Sequence, residues 1–273
     1  MRRGARHAFH MTSSRHSPAR RAFTLVELLV VIALIAVVLS LVLYGVTGIQ
    51  RQARSAKCLS NQRQINFAFN CYYADNSGRF CGVDTDRNPW DWVKTPSGTP
   101  GETEAHLKNG RLWQYIGSFE VYKSPFDPFP SPPPGATVAS GTTRIRTYSF
   151  NAFISTGEGY MWAGPPNWQV NTMGKIPLPA ETIVTCLEYD HRGYNINGFG
   201  ISLSGNGNWV DKLAPWHPGH WNFTFADGSA VSQNAFAKQK DIDYYMTLPQ
   251  NDIFWPGPDY EWVRRRLAPG SIP

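Results

Sequence analysis

The sequence predicts an α+β protein in which one long N-terminal helix packs on an antiparallel β-sheet with long loops. Residues Leu28 to Val46 form an apolar run of nineteen without a charge, which suits a long helix. Aromatic and β-branched segments with strand-like patterns follow only after residue 140. The chain contains 24 glycines and 21 prolines, a content typical of a loop-rich domain with β-structure rather than of a helical bundle.

The first 22 residues form a basic leader with six arginines and no acidic residue. Without these arginines, 20 basic side chains balance 20 acidic ones, although the whole chain has a formal net charge of +6. Because the excess positive charge is confined to the leader, the sequence predicts no nucleic-acid-binding surface. The positive-inside rule indicates that such a leader stays in the cytoplasm.

The apolar run predicts a membrane-spanning helix over residues 23–46. With about 1.5 Å rise per residue, its uncharged part nearly matches a hydrocarbon core of about 30 Å. A secretory signal peptide has an apolar core of only about 7–15 residues and a small-x-small cleavage site, and this segment has neither feature. Glu27, directly before the uncharged run, is the one charged residue of this predicted helix. An ionised glutamate in such a helix costs roughly 2.5–3.5 kcal/mol. No partner for its carboxylate is visible within the segment.

The helix is expected to continue past the membrane as an amphipathic segment with a basic and polar outer face, over about 80 Å in total. Gly45 and Gly48 are expected to weaken or bend it, and the DNSG sequence at 75–78 ends it. An anchor followed by a separate surface helix is the alternative. The apolar positions of the amphipathic segment, mostly three or four apart, are Val46, Ile49, Ala53, Ala56, Leu59, Ile65, Ala68 and Phe69.

The region after residue 80 is expected to be irregular at first. Loops are predicted around a short helix near 104–117, and the proline-rich stretch 124–142 predicts an extended surface loop within one domain. Strands are then predicted at 144–150 and 182–189, which are rich in β-branched and aromatic residues.

A β-hairpin is predicted near the C-terminal end, followed by a helix at 235–247 and a tail rich in proline and tryptophan from 249. Its first strand, 220–226, alternates strictly between aromatic and smaller residues. Asp227-Gly228 predicts a type I′ turn, in which glycine accepts a positive φ. Residues 229–236 form the predicted returning strand.

Histidines and aspartates near this hairpin suggest a metal site, but the pattern favours a structural role. His217 and His220 lie on a Pro-Gly turn rather than on one helix face, and the glutamate of a zinc protease helix is missing. His217 is therefore expected to hydrogen-bond the hairpin, while Asp227 and Gly228 shape its turn. The other metal-binding side chains considered are Asp190 and His191.

No enzyme fingerprint is found in the sequence. There is no G-x-S-x-G, P-loop or dinucleotide motif, and the glycine-rich stretch 193–209 lacks the strand-to-helix context of a phosphate site. We therefore expect a protein that is not an enzyme and has no cofactor.

The four cysteines leave two alternatives open. Cys58 and Cys71 on one continuous helix would be about 20 Å apart, too far for a bridge. A disulfide between Cys71 and Cys81 across the DNSG turn is feasible, as is one joining Cys58 or Cys81 to Cys186. Buried free thiols are the other alternative.

The stretch RRAFTLVELLVVIALIAVVLSLVLYG resembles the N-terminus of type IV prepilins and type II secretion pseudopilins. The resemblance implies that a prepilin peptidase cuts between Ala22 and Phe23 and methylates Phe23, which leaves Glu27 at the fifth position. Alanine stands before the cut where these proteins most often have glycine. Glu27 would then pair with the Phe23 amine of a neighbouring subunit, since opposite charges attract strongly in a medium of low dielectric constant.

Further segments resemble prepilin-like proteins that carry an H-x9-D-G signature, here His217 with Asp227 and Gly228. Ser124 in YKSPFDP stands where a cysteine is common in these proteins. Together the matches extend from residue 20 to 231. The remaining matches are TYSFN and a run along the helix that includes Cys58, Asn61, Gln64, Ile65, Tyr73, Asn76, Gly78 and Phe80.

These observations predict a leader at 1–22, a transmembrane and assembly helix at 23–46, and a periplasmic pilin-like domain at 47–273 that contains the 217–228 hairpin. The predicted function is a structural subunit of a type IV filament or a type II secretion pseudopilus, anchored in the inner membrane. Its expected partners are prepilin peptidase, other subunits, an assembly platform in the inner membrane and membrane lipid. Bound Ca²⁺ is a further option, because some pseudopilins use it. The alternative is a membrane-anchored periplasmic module that binds carbohydrate or protein.

Overall fold

A computed structural model describes residues 23–85, 87–96, 102–129, 144–155, 170–190, 198–248 and 253–270. The chain forms two compact units, which meet between Gln50 and Arg51, about one helical turn after the predicted boundary. The predicted α+β class is confirmed. The leader 1–22, residues 130–142 of the proline-rich loop, and His191 lie outside the described residues.

The long helix α1 runs from Leu25 to Asp75 without a break at Gly45 or Gly48, so the alternative of two separate helices is wrong. It ends where predicted, because Ser77 and Gly78 adopt left-handed conformations with φ of 56° and 72°. The Gly78 N–H reaches back to the Tyr73 carbonyl at 3.0 Å, as in the Schellman motif that terminates many helices.

In the first unit, every described side chain from Phe23 to Leu43 is exposed, and its large apolar side chains are 45–80% exposed. Among the described residues, α1 is the one helix that is long and apolar enough to cross a membrane. The protein itself therefore leaves this apolar surface uncovered.

The second unit is built around an antiparallel sheet. The strands of this sheet are β1 (Tyr148–Phe150), β2 (Ile183–Tyr189), β4 (Lys212–Leu213), β5 (His220–Phe225) and β6 (Ala230–Asn234). They have the order β1-β2-β5-β6, and β4 pairs with the end of β2. A β-bulge interrupts the pairing of β2 with β5 between Ile183 and Thr185.

The remaining elements are short. The helix predicted near 104–117 is two short helices. Between them, Gly110 lies so close to the Trp92 carbonyl that a Cβ would sit 2.0 Å from it, so only glycine fits there. These elements are α2 (Glu104–Lys108), α3 (Trp113–Ile116), the paired strands β3 (Asn208–Trp209) and β7 (Ile253–Phe254), α4 (Gln239–Thr247) and α5 (Pro258–Leu267).

The sheet has a hydrophobic core on both faces. On one face, Phe69 of α1 packs against Phe80 and Phe150, with ring centroids 4.7 and 5.1 Å apart. On the other face, Phe223 packs against Trp262 of α5 at 5.1 Å. Both the aromatic and the polar residues of β5 are therefore buried, whereas the alternation predicted only that they face opposite sides.

The buried face of α1 contains amide side chains beside some of the apolar ones that the sequence predicted. Ile65, Ala68 and Phe69 are buried as predicted, whereas Ala53 and Ala56 are exposed. The amide side chains, which are at most 1% exposed, are those of Asn61, Gln62 and Asn66. Gln62 Nε2 donates to the Asn222 carbonyl at 3.1 Å, and Asn66 Nδ2 donates to the Phe225 carbonyl at 2.8 Å. These hydrogen bonds join α1 directly to the main chain of β5.

Helix α5 lies in the tail rich in proline and tryptophan, for which the sequence analysis predicted no helix. Its Asp259 carboxylate accepts hydrogen bonds from Trp221 Nε1 at 3.0 Å and from the N–H groups of Phe236 and Ala237 at 3.0 and 2.8 Å. One carboxylate therefore ties α5 to β5 and to the chain that leaves β6.

Candidate functional site

The start of α1 is a reciprocal capping box formed by Thr24 and Glu27. Glu27 Oε2 accepts hydrogen bonds from the Thr24 main-chain N–H at 2.8 Å and from its hydroxyl at 2.9 Å. In return, the Glu27 N–H donates to Thr24 Oγ1 at 3.2 Å. The pair thereby satisfies N–H groups that the first turn of a helix leaves without a partner.

The Glu27 carboxylate therefore has a partner inside its own segment, contrary to the sequence-based expectation. The signal was available, because Thr24 and Glu27 form the T-x-x-E pattern of a capping box. Both contacts use Oε2, and within the part of the chain that the structure describes no hydrogen bond reaches Oε1. One carboxylate oxygen holds the cap, and the other is open to a further donor.

The predicted processing site is described only on its C-terminal side. Ala22 lies outside the described residues, while Phe23 is 79% exposed and lies two residues before the first helical residue, Leu25. A cut before Phe23 would leave a new amine next to the capping residue Thr24.

The predicted hairpin is present, but its turn is not of type I′. The Phe225 N–H donates to the Ser229 carbonyl and the Gly228 N–H to the Phe225 carbonyl, both at 2.9 Å. The loop therefore has three residues, Ala226 to Gly228, and only Gly228 has a positive φ, of 89°. This geometry is that of a turn followed by a glycine bulge, whereas type I′ needs two residues with positive φ. Asp227 Oδ1 accepts the Ser229 N–H at 2.9 Å.

The His217 side chain contacts α1 rather than the hairpin turn, and only its main-chain carbonyl bonds the hairpin, accepting the His220 N–H at 3.1 Å. Its Nε2 lies 2.8 Å from Ser55 Oγ, and its ring packs 4.5 Å from the Phe126 ring. Burial, together with the nearby positive charges of His220 and Arg51, lowers the pKa of His217. The side chain therefore acts as a neutral link between α1 and the segment that enters β5.

The His217 and His220 rings are 5.1 Å apart. Within the described ranges, no group of three or more histidine, cysteine, aspartate or glutamate side chains converges.

All four cysteines are free thiols, so the Cys71–Cys81 disulfide is not formed. Cys81 is fully buried in the core, whereas Cys71 stays partly exposed on the surface of α1, and the two side chains face different environments. Burial is also the main reason that the pKa of Cys81 lies well above its usual value.

The Cys58 thiol lies in a buried polar cluster. Its Sγ is 3.4 Å from each of three polar atoms, namely Ser124 Oγ, the Tyr148 hydroxyl oxygen and Asn222 Nδ2. The cluster joins α1 to the loop before β1, to β1 itself and to β5. Ser124 thus lies directly opposite Cys58, which the sequence could not show.

A cavity of about 470 Å³ lies beside α1. Its lining combines the cations Lys57 and Lys123 and the carboxylates Glu104 and Glu120 with apolar side chains such as that of Phe119. Its volume is within the usual range for small-molecule sites.

Three tryptophans of the second unit use their polar N–H groups internally. Trp92 donates to the Val83 carbonyl, Trp209 to the Trp255 carbonyl, and Trp221 to Asp259. These indoles are therefore core residues and do not form an open aromatic platform.

Comparison with known proteins identifies one feature. Residues 17–43 match the model of a family described as the prokaryotic N-terminal methylation motif. The match includes Phe23, the capping box and the apolar first part of α1. No curated protein and no solved structure matches the chain.

Proposed function

We propose that this chain, whose N-terminal methylation motif supports a type IV prepilin-like or pseudopilin-like protein, is a structural subunit, not an enzyme, of a type IV filament or type II secretion pseudopilus. The observation that carries the proposal is the apolar surface of α1, which is exposed from Leu25 to Leu43 within the matched motif. A soluble protein rarely exposes so large an apolar surface. Membrane lipid covers it before assembly, and the helices of neighbouring subunits cover it afterwards.

Processing is the first step of the proposed function. Prepilin peptidase cuts between Ala22 and Phe23 and methylates the new amine. This removes the basic leader, which until then holds the N-terminus on the cytoplasmic side of the inner membrane. The second unit then lies in the periplasm.

Assembly is the second step, and Glu27 takes part in it. Its Oε2 remains in the capping box with Thr24, while Oε1 accepts the Phe23 amine of the neighbouring subunit. Pairing neutralises a carboxylate that is costly at membrane depth, so it favours the assembled state over the isolated subunit.

Three variants separate the charge of Glu27 from its capping role. Glu27→Gln removes the charge but keeps a side chain that suits a capping box, because glutamine also occurs at that position. Glu27→Val removes both, and Thr24→Val removes the threonine hydroxyl but leaves the charge. Each protein is co-expressed with prepilin peptidase and sequenced from its N-terminus, and its assembly is measured by crosslinking through cysteines introduced near the helix start.

We expect all three variants to be cut before Phe23. Crosslinking should fall sharply for Glu27→Gln and Glu27→Val, and much less for Thr24→Val. Normal crosslinking of Glu27→Gln would contradict the charge pairing, and recovery of the uncut leader in the unaltered protein would contradict the subunit function itself.

A membrane-anchored binding module is the second candidate function, and the cavity beside α1 is the observation that favours it. A binding module needs its anchor but not the charge of Glu27. Normal crosslinking of Glu27→Val would therefore favour this second function.

A further inference from the structure

We propose that Arg51, Arg54 and Lys57, here called the juxtamembrane basic cluster, form a binding site for anionic phospholipid headgroups. The proposal rests on insertion of the apolar part of α1 into the membrane, which is part of the proposed function, but not on filament assembly.

The charge pattern of α1 is the first observation. From Leu28 to Ala74 the helix contains four cationic side chains and no carboxylate. The cluster therefore lacks the glutamate or aspartate one turn away that commonly pairs with a surface lysine or arginine. None of the ion pairs among the described residues includes a member of the cluster.

The position of the cluster is the second observation. Its members are three residues apart, a spacing that keeps them on one side of a helix, and all three are exposed. Arg51 follows Ile49, an apolar residue that is 68% exposed, by only two positions in the same helix. Since charged side chains stay out of the hydrocarbon region, the cluster lies at the level of the lipid headgroups.

No carboxylate among the described residues forms an ion pair with a member of the cluster. Arg51 faces His217, whose pKa is lowered partly by that arginine, so this neighbour is neutral or cationic. Lys57 lies at the cavity that also contains Glu104 and Glu120, but it forms no ion pair with either among the described residues.

Phosphate oxygens are suitable partners for these three cationic side chains. Arginine offers a planar fork of donors that suits phosphate, and lysine offers a compact positive charge. A basic residue near an anionic membrane surface contributes roughly a fivefold preference for that surface. Three such residues within seven positions would select anionic lipids over zwitterionic ones on whichever side of the membrane they lie.

The test uses the full chain in nanodiscs of mixed phosphatidylcholine and phosphatidylglycerol, with the protein-associated lipids counted by native mass spectrometry. We expect several-fold enrichment of phosphatidylglycerol around the unaltered protein. In R51Q/R54Q/K57Q the enrichment should fall to the bulk ratio. The control R63Q removes an exposed arginine farther along the same helix and should keep the enrichment.

A third variant, R51K/R54K, keeps the charges and should retain most of the enrichment. Raising the salt should weaken it in the unaltered protein, because ions screen exposed charges within about 8 Å at physiological ionic strength. Equal enrichment around the unaltered protein and R51Q/R54Q/K57Q would overturn the proposal, as would an equal loss in R63Q. Neither outcome depends on filament assembly, so the subunit function would be unaffected.

Discussion

Replacing Ser124 with cysteine should create a disulfide to Cys58. Ser124 Oγ and Cys58 Sγ are 3.4 Å apart and buried, and the two residues are 66 positions apart in the sequence. A sulfur at position 124 would thus start close to its partner, and a modest adjustment of the two side chains brings it to the bond length of about 2.05 Å.

The expected stabilisation follows from the length of the closed loop. Restricting the unfolded chain over such a loop is worth about 4 kcal/mol in the chain-entropy description. The bridge would displace the three hydrogen bonds that now reach the Cys58 thiol, each worth about 1 kcal/mol. The remaining net gain of roughly 1 kcal/mol would raise the unfolding midpoint of a unit of this size by roughly 2–4 °C.

The assay compares Ser124→Cys with Ser124→Ala, which loses the hydroxyl but cannot form a bridge. Thiol titration of the denatured protein should find two thiols fewer in the oxidised Ser124→Cys variant than in its reduced form. Thermal unfolding with and without reductant should show the higher midpoint only without reductant. If position 124 stays a free thiol under oxidising conditions, the assigned contact between α1 and this loop is wrong.

Two further predictions concern links within the second unit. Asp259→Ala should lower the free energy of unfolding by roughly 2–4 kcal/mol, because it leaves three donors without their acceptor. Denaturant unfolding measures this loss, with Asp241→Ala, which changes an exposed acid of α4, as the control. Equal effects of the two substitutions would contradict the role of Asp259. The free energy of unfolding should also decrease as the pH is lowered below about 6.5, the ordinary pKa of histidine. The reason is that His217 has a lowered pKa in the folded chain, so the unfolded chain takes up the proton first. Denaturant unfolding across this pH range should show a weaker dependence in His217→Gln, and an unchanged dependence would show that another group is responsible.

The sequence was sufficient wherever a structure depends on neighbouring residues. The extent of α1 and its end at DNSG follow from local composition and from residues that accept a left-handed conformation. The capping box of Thr24 and Glu27 is equally local and could have been recognised. The same is true of α5, which has a proline at its first position, acidic residues in its first turn and three arginines in its last turn.

Features that join distant parts of the chain could not be predicted. Gln62 and Asn66 look like surface residues, and only the approach of β5, more than 150 positions later, explains their burial. Asn61 is buried in the same way against a different segment, because its side chain donates to the carbonyls of Glu120 and Lys123. The hairpin turn was missed for a related reason. Asp227-Gly228 indicates that a turn occurs, but the pairing of Phe225 with Ser229 determines the number of residues in its loop.

The amide hydrogen bonds between α1 and β5 have a mechanical consequence. In the proposed assembly, the subunit is pulled from the membrane by its helix, and the hydrogen bonds of Gln62 and Asn66 would pass this force to the main chain of β5. Because β5 lies between β2 and β6, the load enters the sheet at an inner strand and spreads to both sides. Separating the helix from the sheet would require several buried hydrogen bonds to break together, so the second unit should withstand extraction as one rigid body.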